Sequence, residues 1–465
     1  MGQFNWKVVH GGHAPPPGEV VAPDERLSWP RTLGLGAQHV VAMFGATFVF
    51  PVLMGLNPNV AIMMSGVATA IFLLVVKGRI PSYLGSSASF VGAVAAIRAQ
   101  GGDSSDVTGA ILVAGLVLAA VGVLVHLVGA RIVNRVLPPA VTGAVVMLIG
   151  FNLAPVAATV YWAQDQWVAL ATMVFVIGAA VLLPGFWGRI GVLLGLIFGF
   201  GLSWLFDVTT GPITSPDASG AVTTRPRVDL SAVREADWIG LPPRTMAAPD
   251  GTELVGFHPP SFSVAFVLLV LPAVIALIAE NTGHVKAVAE MTGDDLDPLL
   301  GRALIGDGVG TAVSASVGGP PTTTYAENIG VMAATRVYST AAYWVAAAVA
   351  VLLGFCPKFG AVIVAVPGGV LGGLTVVLYG MIGLLGAKIW VENRVDLGNP
   401  VNLVPLAAGL IIGIGDVTLR ITGSFQLSGI ALGTLVAVLG HHAIRALAPA
   451  HLAEAATSRS GDGRR

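Results

Sequence analysis

Charged residues are scarce in this sequence. Of its 465 residues, 11% are Asp, Glu, Lys or Arg and 55% are hydrophobic, whereas a soluble domain carries about 25% charged residues. A soluble fold of this length could not bury so much apolar surface. The composition therefore predicts a polytopic membrane protein and excludes an ordinary soluble domain.

The sequence also lacks a set of cysteines that could pair, an excess of basic residues and an apolar signal peptide. The single cysteine, Cys356, excludes an internal disulfide and a cysteine-based metal site. The formal net charge is −1 and no basic patch stands out, which argues against a nucleic-acid partner. No spacing typical of metal ligands occurs, so we expect neither a metal nor a cofactor. Residues 1–30 are polar and proline-rich, and we expect no cleaved signal peptide there.

The sequence contains instead a series of apolar runs near the roughly 20 residues that a membrane-spanning helix needs. We predict fourteen membrane segments, at residues 32–51, 58–77, 82–98, 107–130, 139–158, 166–185, 189–206, 262–285, 300–317, 323–338, 341–356, 361–386, 400–415 and 426–446. Basic residues concentrate in alternate loops and beside both ends, which places both termini in the cytoplasm. Residues 207–261 are polar and rich in Gly and Pro, which predicts an outward-facing loop with short strands.

Two motifs recur at similar spacing in the two halves of the chain. The first half has Gln38–His39 and then Ser82–Ser89, and the second half has Glu280–His284 and then Thr322–Asn328. Because seven segments per half is an odd number, the second half must insert upside down relative to the first. Inverted repeats with broken, small-residue segments at matching positions are typical of transporters that bind substrate near the midplane.

The segments Ser82–Ser89 and Thr322–Asn328 are small, polar and β-branched, so they are poor helix interiors. We expect each to run extended to mid-membrane and then to begin a half-helix. If the two cross in antiparallel fashion, they satisfy some of each other's backbone groups, and the helix N-termini present N–H donors for carbonyl oxygens. The alternative is a pair of ordinary helices with Ser and Thr on their packing faces.

Three acidic residues, Glu280, Asp307 and Glu327, lie inside apolar runs, where an ionisable group is costly and usually marks a substrate or ion path. Glu280 and Glu327 could accept hydrogen bonds from the ring N–H groups of a flat heterocycle. Burial disfavours their ionised forms, so either could also take up a proton. His284, one turn from Glu280, and Asp307 are either partners of these acids or packing residues, and we interpret His39 as a packing residue.

The motifs together resemble the nucleobase–ascorbate transporter family, also called nucleobase:cation symporter 2, over most of the chain. The resemblance is carried by Gln38–His39, Ser82–Ser87, Ala279–His284, Gly318–Pro321 and Glu327–Arg336. It implies an all-α membrane protein of fourteen segments in two inverted seven-segment repeats, with short antiparallel strands in segments 3 and 10. It also implies a core that moves like an elevator against a gate, and a homodimer formed through the gate.

On that basis we expect a cytoplasmic tail at 1–30, a core at 31–130 and 262–357, a gate at 131–206 and 358–447, an extracytoplasmic loop at 207–261, and a second cytoplasmic tail at 448–465. The chain looks most like the bacterial uracil branch. The resemblance implies base contacts from Glu280, Glu327, Ala88, Tyr325, Ala326, Phe90 and Tyr379. It implies proton coupling by His284, Glu280 and Glu327, with support from Gln38, His39, Asp307, Asn328 and Thr335. The family has an aromatic residue at the position of Ala88. The resemblance therefore implies that the backbone N–H of Ala88 still contacts the base, whereas stacking of an aromatic ring on the base is lost or passes to Phe90.

The sequence therefore predicts proton-coupled import of uracil across the cytoplasmic membrane, with the nucleobase, protons and membrane lipid as partners. Xanthine or another purine is the main alternative, which Gln at position 327 or Asp at position 284 would have favoured. An anion transporter of the same architecture would not suit two glutamates. A membrane-embedded enzyme would need a nucleophile or metal constellation that is not evident, so we predict no enzymatic activity.

Overall fold

The computed structural model describes residues 4–184, 186–217, 220–247, 253–421, 426–427 and 429–455. The described chain is mostly helical. Before the long loop it forms strands β1 (Lys7–Val8), β2 (Glu25–Arg26) and β3 (Leu84–Ser86), and helices α1 (Trp29–Ala42), α2 (Phe44–Leu53), α3 (Pro58–Val75), α4 (Val91–Ala99), α5 (Ser104–Val128), α6 (Arg131–Val136), α7 (Pro139–Asn152), α8 (Gln166–Leu182), α9 (Phe186–Arg189) and α10 (Gly191–Thr210).

The long loop and the second half of the chain contain the remaining strands and helices. The loop contains β4 (Ile213–Pro216), β5 (Val222–Arg225), α11 (Ser231–Glu235), β6 (Thr245–Ala247) and β7 (Glu253–Val255). The second half comprises α12 (Val264–Thr292), α13 (Leu300–Ser316), β8 (Thr322–Thr324), α14 (Ala326–Thr335), α15 (Thr340–Gly354), α16 (Pro357–Val364), α17 (Gly368–Glu392), α18 (Pro400–Ile414), β9 (Leu419–Arg420), β10 (Gln426–Leu427), α19 (Gly429–Leu447) and α20 (Ala450–Ala455). The β4–β5 and β6–β7 hairpins confirm the short strands predicted for the loop.

Polar residues fix where several of the apolar helices begin. The Asn57 side chain accepts a hydrogen bond from Asn59 N, at 2.8 Å, at the start of α3. Asp103 and Asp106 form a reciprocal capping box at the start of α5. Such caps satisfy N–H groups that the first turn of a helix leaves free, so α3 and α5 each start at a defined residue.

Seven of the described helices are long and apolar enough to cross a membrane, or eight if the bent pair α15–α16 counts as one span. The chain is therefore a multi-pass membrane protein, while the count of fourteen stays a prediction. The predicted segment at 361–386 corresponds to α17, which begins later, at Gly368, and ends later, at Glu392. Pro367 lacks an amide N–H and disfavours helix in the residue before it, so α16 ends at Val364 and a new helix begins at Gly368.

Small residues let the long helices approach closely. Helix α5 packs against α13 and α7 against α17. A Cβ added at Gly308 would lie 2.4 Å from the backbone nitrogen of Ala119, and one at Gly150 would lie 2.2 Å from that of Gly383. These crossings bring backbones into contact, as small residues do between membrane helices, and they hold the two halves of the chain together.

Strands β3 and β8 pair antiparallel and lie buried between the helices. The register joins Leu84 to Thr324, Gly85 to Thr323 and Ser86 to Thr322, and all six residues are buried. The predicted antiparallel crossing of the two broken segments is therefore confirmed, and the alternative of two ordinary helices is excluded. We call this pair of strands the strand cross.

Candidate functional site

The outer edges of the strand cross are completed by two threonine side chains. The Thr69 hydroxyl of α3 accepts from Leu84 N at 2.9 Å and donates to Leu84 O at 3.4 Å. The Thr311 hydroxyl of α13 accepts from Thr322 N at 3.0 Å and donates to Thr322 O at 3.2 Å. Buried backbone groups need partners, and these hydroxyls supply what a third and a fourth strand would supply in a larger sheet.

Tyr325 ties the end of β8 back onto β3. Its hydroxyl donates to Ser86 O at 2.5 Å, and its amide donates to Tyr83 O at 3.2 Å. The ring passes so close to Gly85 that a Cβ there would lie 2.2 Å from the Tyr325 ring. Glycine at position 85 is therefore a steric requirement of the crossing.

Helix α14 begins directly after the strand cross, as predicted for a half-helix. Its N-cap residue, Tyr325, provides no side-chain hydrogen bond to the first turn. Ala326 and Glu327, in that first turn, are exposed although the strand before them is buried. A carboxylate is favoured at a helix N-terminus by the aligned peptide dipoles. The first turn of α14 thus combines N–H donors and an acceptor on an open surface.

Helix α12 brings Glu280 and His284 to the same strand. The Thr323 hydroxyl donates to Glu280 Oε2 at 3.3 Å, and the Thr324 hydroxyl lies 2.8 Å from His284 Nδ1. Gly283 between them is exposed, and a Cβ at that position would meet no atom within 4 Å. Glu280 and His284 are half-buried beside this open space, which gives a small molecule access to them.

Asp307 supports the strand from the side of α13. It is fully buried and accepts hydrogen bonds from the Asn281 amide and from the Thr322 hydroxyl, the latter at 3.4 Å. Through Asn281 it connects α12 to β8. The arrangement makes Asp307 a structural neighbour of Glu280 and leaves it no exposed surface for a ligand.

His39 and Asn328 link α1 to α14. The Asn328 amide donates to His39 O at 2.9 Å and lies 3.1 Å from His39 Nδ1. The His39 ring also lies 4.3 Å from the Tyr343 ring, centroid to centroid. His39 is thus a buried packing residue, as expected, and it fixes the helix that carries Glu327.

The remaining predicted site residues differ in their burial and in their contacts. Phe90 is fully buried, and Ala88 is half-buried in the short 3₁₀ turn ahead of α4. Gln38 is half-buried on α1, and Thr335 donates to Val331 O within α14. Tyr379 is buried on α17, outside the hydrogen bonds around Glu280, and within the described chain its hydroxyl has no partner.

Sequence reasoning overlooked the four threonines that organise the site: Thr69, Thr311, Thr323 and Thr324. Thr323 and Thr324 were within the predicted broken segment, but nothing in the sequence indicated which side chains they hold. Thr69 and Thr311 lie in helices that otherwise are apolar or rich in glycine. Their one visible signal is a hydroxyl residue in the helix just before each broken segment.

Within the described ranges, no group of three or more His, Cys, Asp and Glu side chains could hold a metal ion. The fold and this centre define a multi-pass membrane protein whose polar site is assembled from two broken segments, one from each half of the chain. That is a transporter's arrangement.

Comparison with known proteins agrees with this class. A family model described as "Permease family" matches residues 30–422. The "Putative pyrimidine permease RutG" of Escherichia coli K12 is 45% identical, covering 90% of this chain and 91% of that protein. The "Uracil permease" of Bacillus caldolyticus is 37% identical, covering 87% and 90%, and that of Paenibacillus larvae is 36% identical, covering 90% and 95%.

The chain therefore belongs to this permease family, and its resemblance to the nucleobase–ascorbate transporters is confirmed. Because the family and its named members are transport proteins, the chain is not an enzyme. Solved structures share the fold at low identity. The transmembrane domain of the cyanobacterial bicarbonate transporter BicA matches with TM-score 0.55 and 14% identity over 88% of this chain and 96% of that one. The murine anion transporter Slc26a9 matches with TM-score 0.58 and 11% identity over 91% and 70%.

Proposed function

We propose that this permease imports uracil together with protons. The observation that carries the proposal is the convergence of Glu280, Glu327 and the open first turn of α14 at the strand cross. The relatives named as uracil and pyrimidine permeases support a nucleobase as substrate. A uracil ring has N–H and C=O groups on adjacent edges, and this site offers acceptors and donors side by side.

In this proposal the two carboxylates accept from the ring N–H groups. The ring carbonyl oxygens take N–H donors from Ala326 in the first turn of α14 and from Ala88 ahead of α4, because free N–H groups at helix N-termini favour such acceptors. Side chains that shape or close the pocket around the base are Tyr325, Phe90 and Tyr379. The roles of Gln38, His39, Asp307, Asn328 and Thr335 are to hold these groups in place.

Proton coupling belongs to the same cluster. Glu280 and His284 bind neighbouring hydroxyls of β8, so a proton gained or lost on either side chain changes the hydrogen bonds of the strand. Glu327 is the third candidate, because its exposed carboxyl can meet both solvent and base. We assign the coupled proton to this group of three.

For the architecture we propose fourteen segments in two inverted repeats. The packing pairs support it: α3 with α15 mirrors α13 with α5, and α8 with α10 mirrors α18 with α19. The core would comprise 31–130 and 262–357 and move like an elevator against a gate at 131–206 and 358–447. Both termini would be cytoplasmic, 207–261 extracytoplasmic, and the protein a homodimer, joined through the gate, in the lipid of the cytoplasmic membrane.

Uptake of labelled uracil into proteoliposomes tests the proposal. Uptake should rise when the outside is acidified relative to the inside, and a protonophore should abolish that rise. Competition by unlabelled xanthine separates the pyrimidine assignment from the purine alternative. Absence of gradient-driven uracil uptake by a folded, reconstituted protein would reject uracil symport.

A further inference from the structure

The loop between α10 and α12 exposes three large apolar side chains within four residues. Trp238, Ile239 and Leu241 are 73%, 87% and 71% exposed. They follow directly after α11, whose residues Arg234 and Glu235 are exposed and charged. A contiguous exposed apolar patch on a polar segment usually marks a surface that something else covers. We call these three residues the apolar corner.

The apolar corner is held in place by the protein. Gly240 N donates to Phe355 O at 3.0 Å, and Lys358 N donates to Asp237 O at 2.9 Å. The Lys358 ammonium group also donates to Val233 O, at 2.8 Å. These bonds join the loop to the point where α15 ends and α16 begins. The exposed side chains are therefore displayed from a fixed backbone.

That attachment point lies at the end of an apolar helix. Helix α15 is apolar, and Leu352, 69% exposed near its end, faces outward. Helix α16 departs from α15 at 84°, so the two helices do not continue in one direction. The apolar corner is therefore attached to the end of an apolar helix, as expected of a segment at the boundary between hydrocarbon and water.

The chemistry of the corner also suits that boundary. Tryptophan is enriched at membrane interfaces because its ring is apolar and its N–H is polar. The Lys358 ammonium group lies 5.3 Å from the centroid of the Trp238 ring. A lysine there can place its charge among headgroup phosphates while its stem covers apolar surface.

We propose that Trp238, Ile239 and Leu241 insert into the headgroup–acyl boundary of the bilayer and anchor the α15–α16 corner to the membrane surface. The anchor is independent of the substrate and of proton coupling. It gives this part of the long loop a structural task in the lipid.

Site-directed spin labelling tests the anchor directly. With Cys356→Ser as background, single variants Ile239→Cys, Glu235→Cys and Leu352→Cys carry a nitroxide in proteoliposomes. Glu235 is the water-facing control on α11, and Leu352 is the lipid-facing control on α15. Collisions with oxygen, which partitions into lipid, are compared with collisions with a water-soluble nickel chelate.

The label at 239 should show an oxygen-to-nickel accessibility ratio close to that at 352 and well above that at 235. A ratio at 239 like that at 235 would overturn the proposal. So would a label shielded from both reagents, which would indicate a protein partner instead.

Discussion

Single hydroxyl groups carry much of the organisation of the site. Thr69 and Thr311 satisfy the backbone of the strand cross from outside, and Thr323 and Thr324 connect it to Glu280 and His284. These contacts are 2.8 to 3.4 Å long, and those of Thr69 and Thr311 pair backbone groups that would otherwise be buried without a partner. An unsatisfied buried donor or acceptor costs about 1–3 kcal/mol, so these contacts hold the strands in position for the ligand.

Thr311→Val removes the hydroxyl while keeping the side-chain shape, and it should weaken uracil binding. Two backbone groups of Thr322 lose their partner, and β8 with the attached α14 shifts. Thr311→Ser keeps the hydroxyl and should bind nearly as well as the parent. Calorimetric titration with uracil measures the affinity of both variants, and thermal unfolding measures their stability. Equal affinities for the Val and Ser variants would show that the hydroxyl does not position the strand.

Glu327→Gln should lower uracil affinity by roughly ten- to a hundred-fold, because a hydrogen bond to a charged group is worth about 1.5–3 kcal/mol. The amide is nearly isosteric, so the fold should be unchanged. Glu235→Gln, an exposed residue of α11, is the matched control and should bind like the parent. Unchanged binding and uptake in Glu327→Gln would remove Glu327 from the site.

At the scale of elements, the N-terminal segment proves to be a packed part of the structure. Val21 is fully buried, its amide donates to Arg336 O at 2.9 Å, and its carbonyl accepts from Tyr338 N at 2.8 Å. The Arg336 guanidinium donates to the carbonyl of Pro16 at 2.8 Å. Residues expected to be only a polar tail thus brace the C-terminal end of α14, the helix whose first turn holds Glu327.

Val21→Asp should release this segment, because an unpaired charge at a fully buried position is strongly disfavoured. Val20→Asp is the matched control, since Val20 is 42% exposed. Brief trypsin digestion at Arg26 should be faster in Val21→Asp than in the parent and unchanged in Val20→Asp. If all three were cut at the same rate, the packing of the segment would not be a stable feature.

How far the sequence predicts the elements depends on what determines each one. The broken segments were predictable because Ser, Thr, Gly and Pro in an apolar chain make poor helices, and Glu280 and Glu327 were conspicuous as acids. The division at Pro367 was missed because the apolar run continues across it. The partners of Asn281, Thr323 and Thr324 depend on helix packing between distant segments, which local composition does not encode.

At the scale of the whole molecule, the elevator proposal requires that core and gate move relative to each other. Gly92 of α4, in the proposed core, lies beside Asn152 and Ile430 of the proposed gate. A Cβ there would lie 3.8 Å from Ile430 Cγ2 of α19 and 2.7 Å from Asn152 Oδ1, whose side chain would have to shift. A cross-link between positions 92 and 430 would therefore fix the position of the core relative to the gate.

With Cys356→Ser as background, oxidised Gly92→Cys/Ile430→Cys should lose uptake and regain it on reduction. Gly92→Cys alone controls for the displaced Asn152 side chain. Val176→Cys/Gly195→Cys is the matched cross-link within the gate, where a Cβ at 195 would lie 3.6 Å from Val176 Cβ, and it should leave uptake intact. Full uptake by the cross-linked 92–430 pair would contradict movement between the two groups.

The strand cross also sets an order for biosynthesis. Leu84–Ser86 is inserted early, but its partner Thr322–Thr324 is made about 240 residues later, a delay of roughly ten to fifty seconds at ~5–20 residues per second. During that interval the extended segment has no strand to pair with, and at the membrane depth proposed for it lipid would offer no hydrogen bonds. The nascent first half therefore needs temporary hydrogen-bond partners for this segment. Water inside the insertion machinery or a chaperoning membrane protein could supply them until the second half has been synthesised.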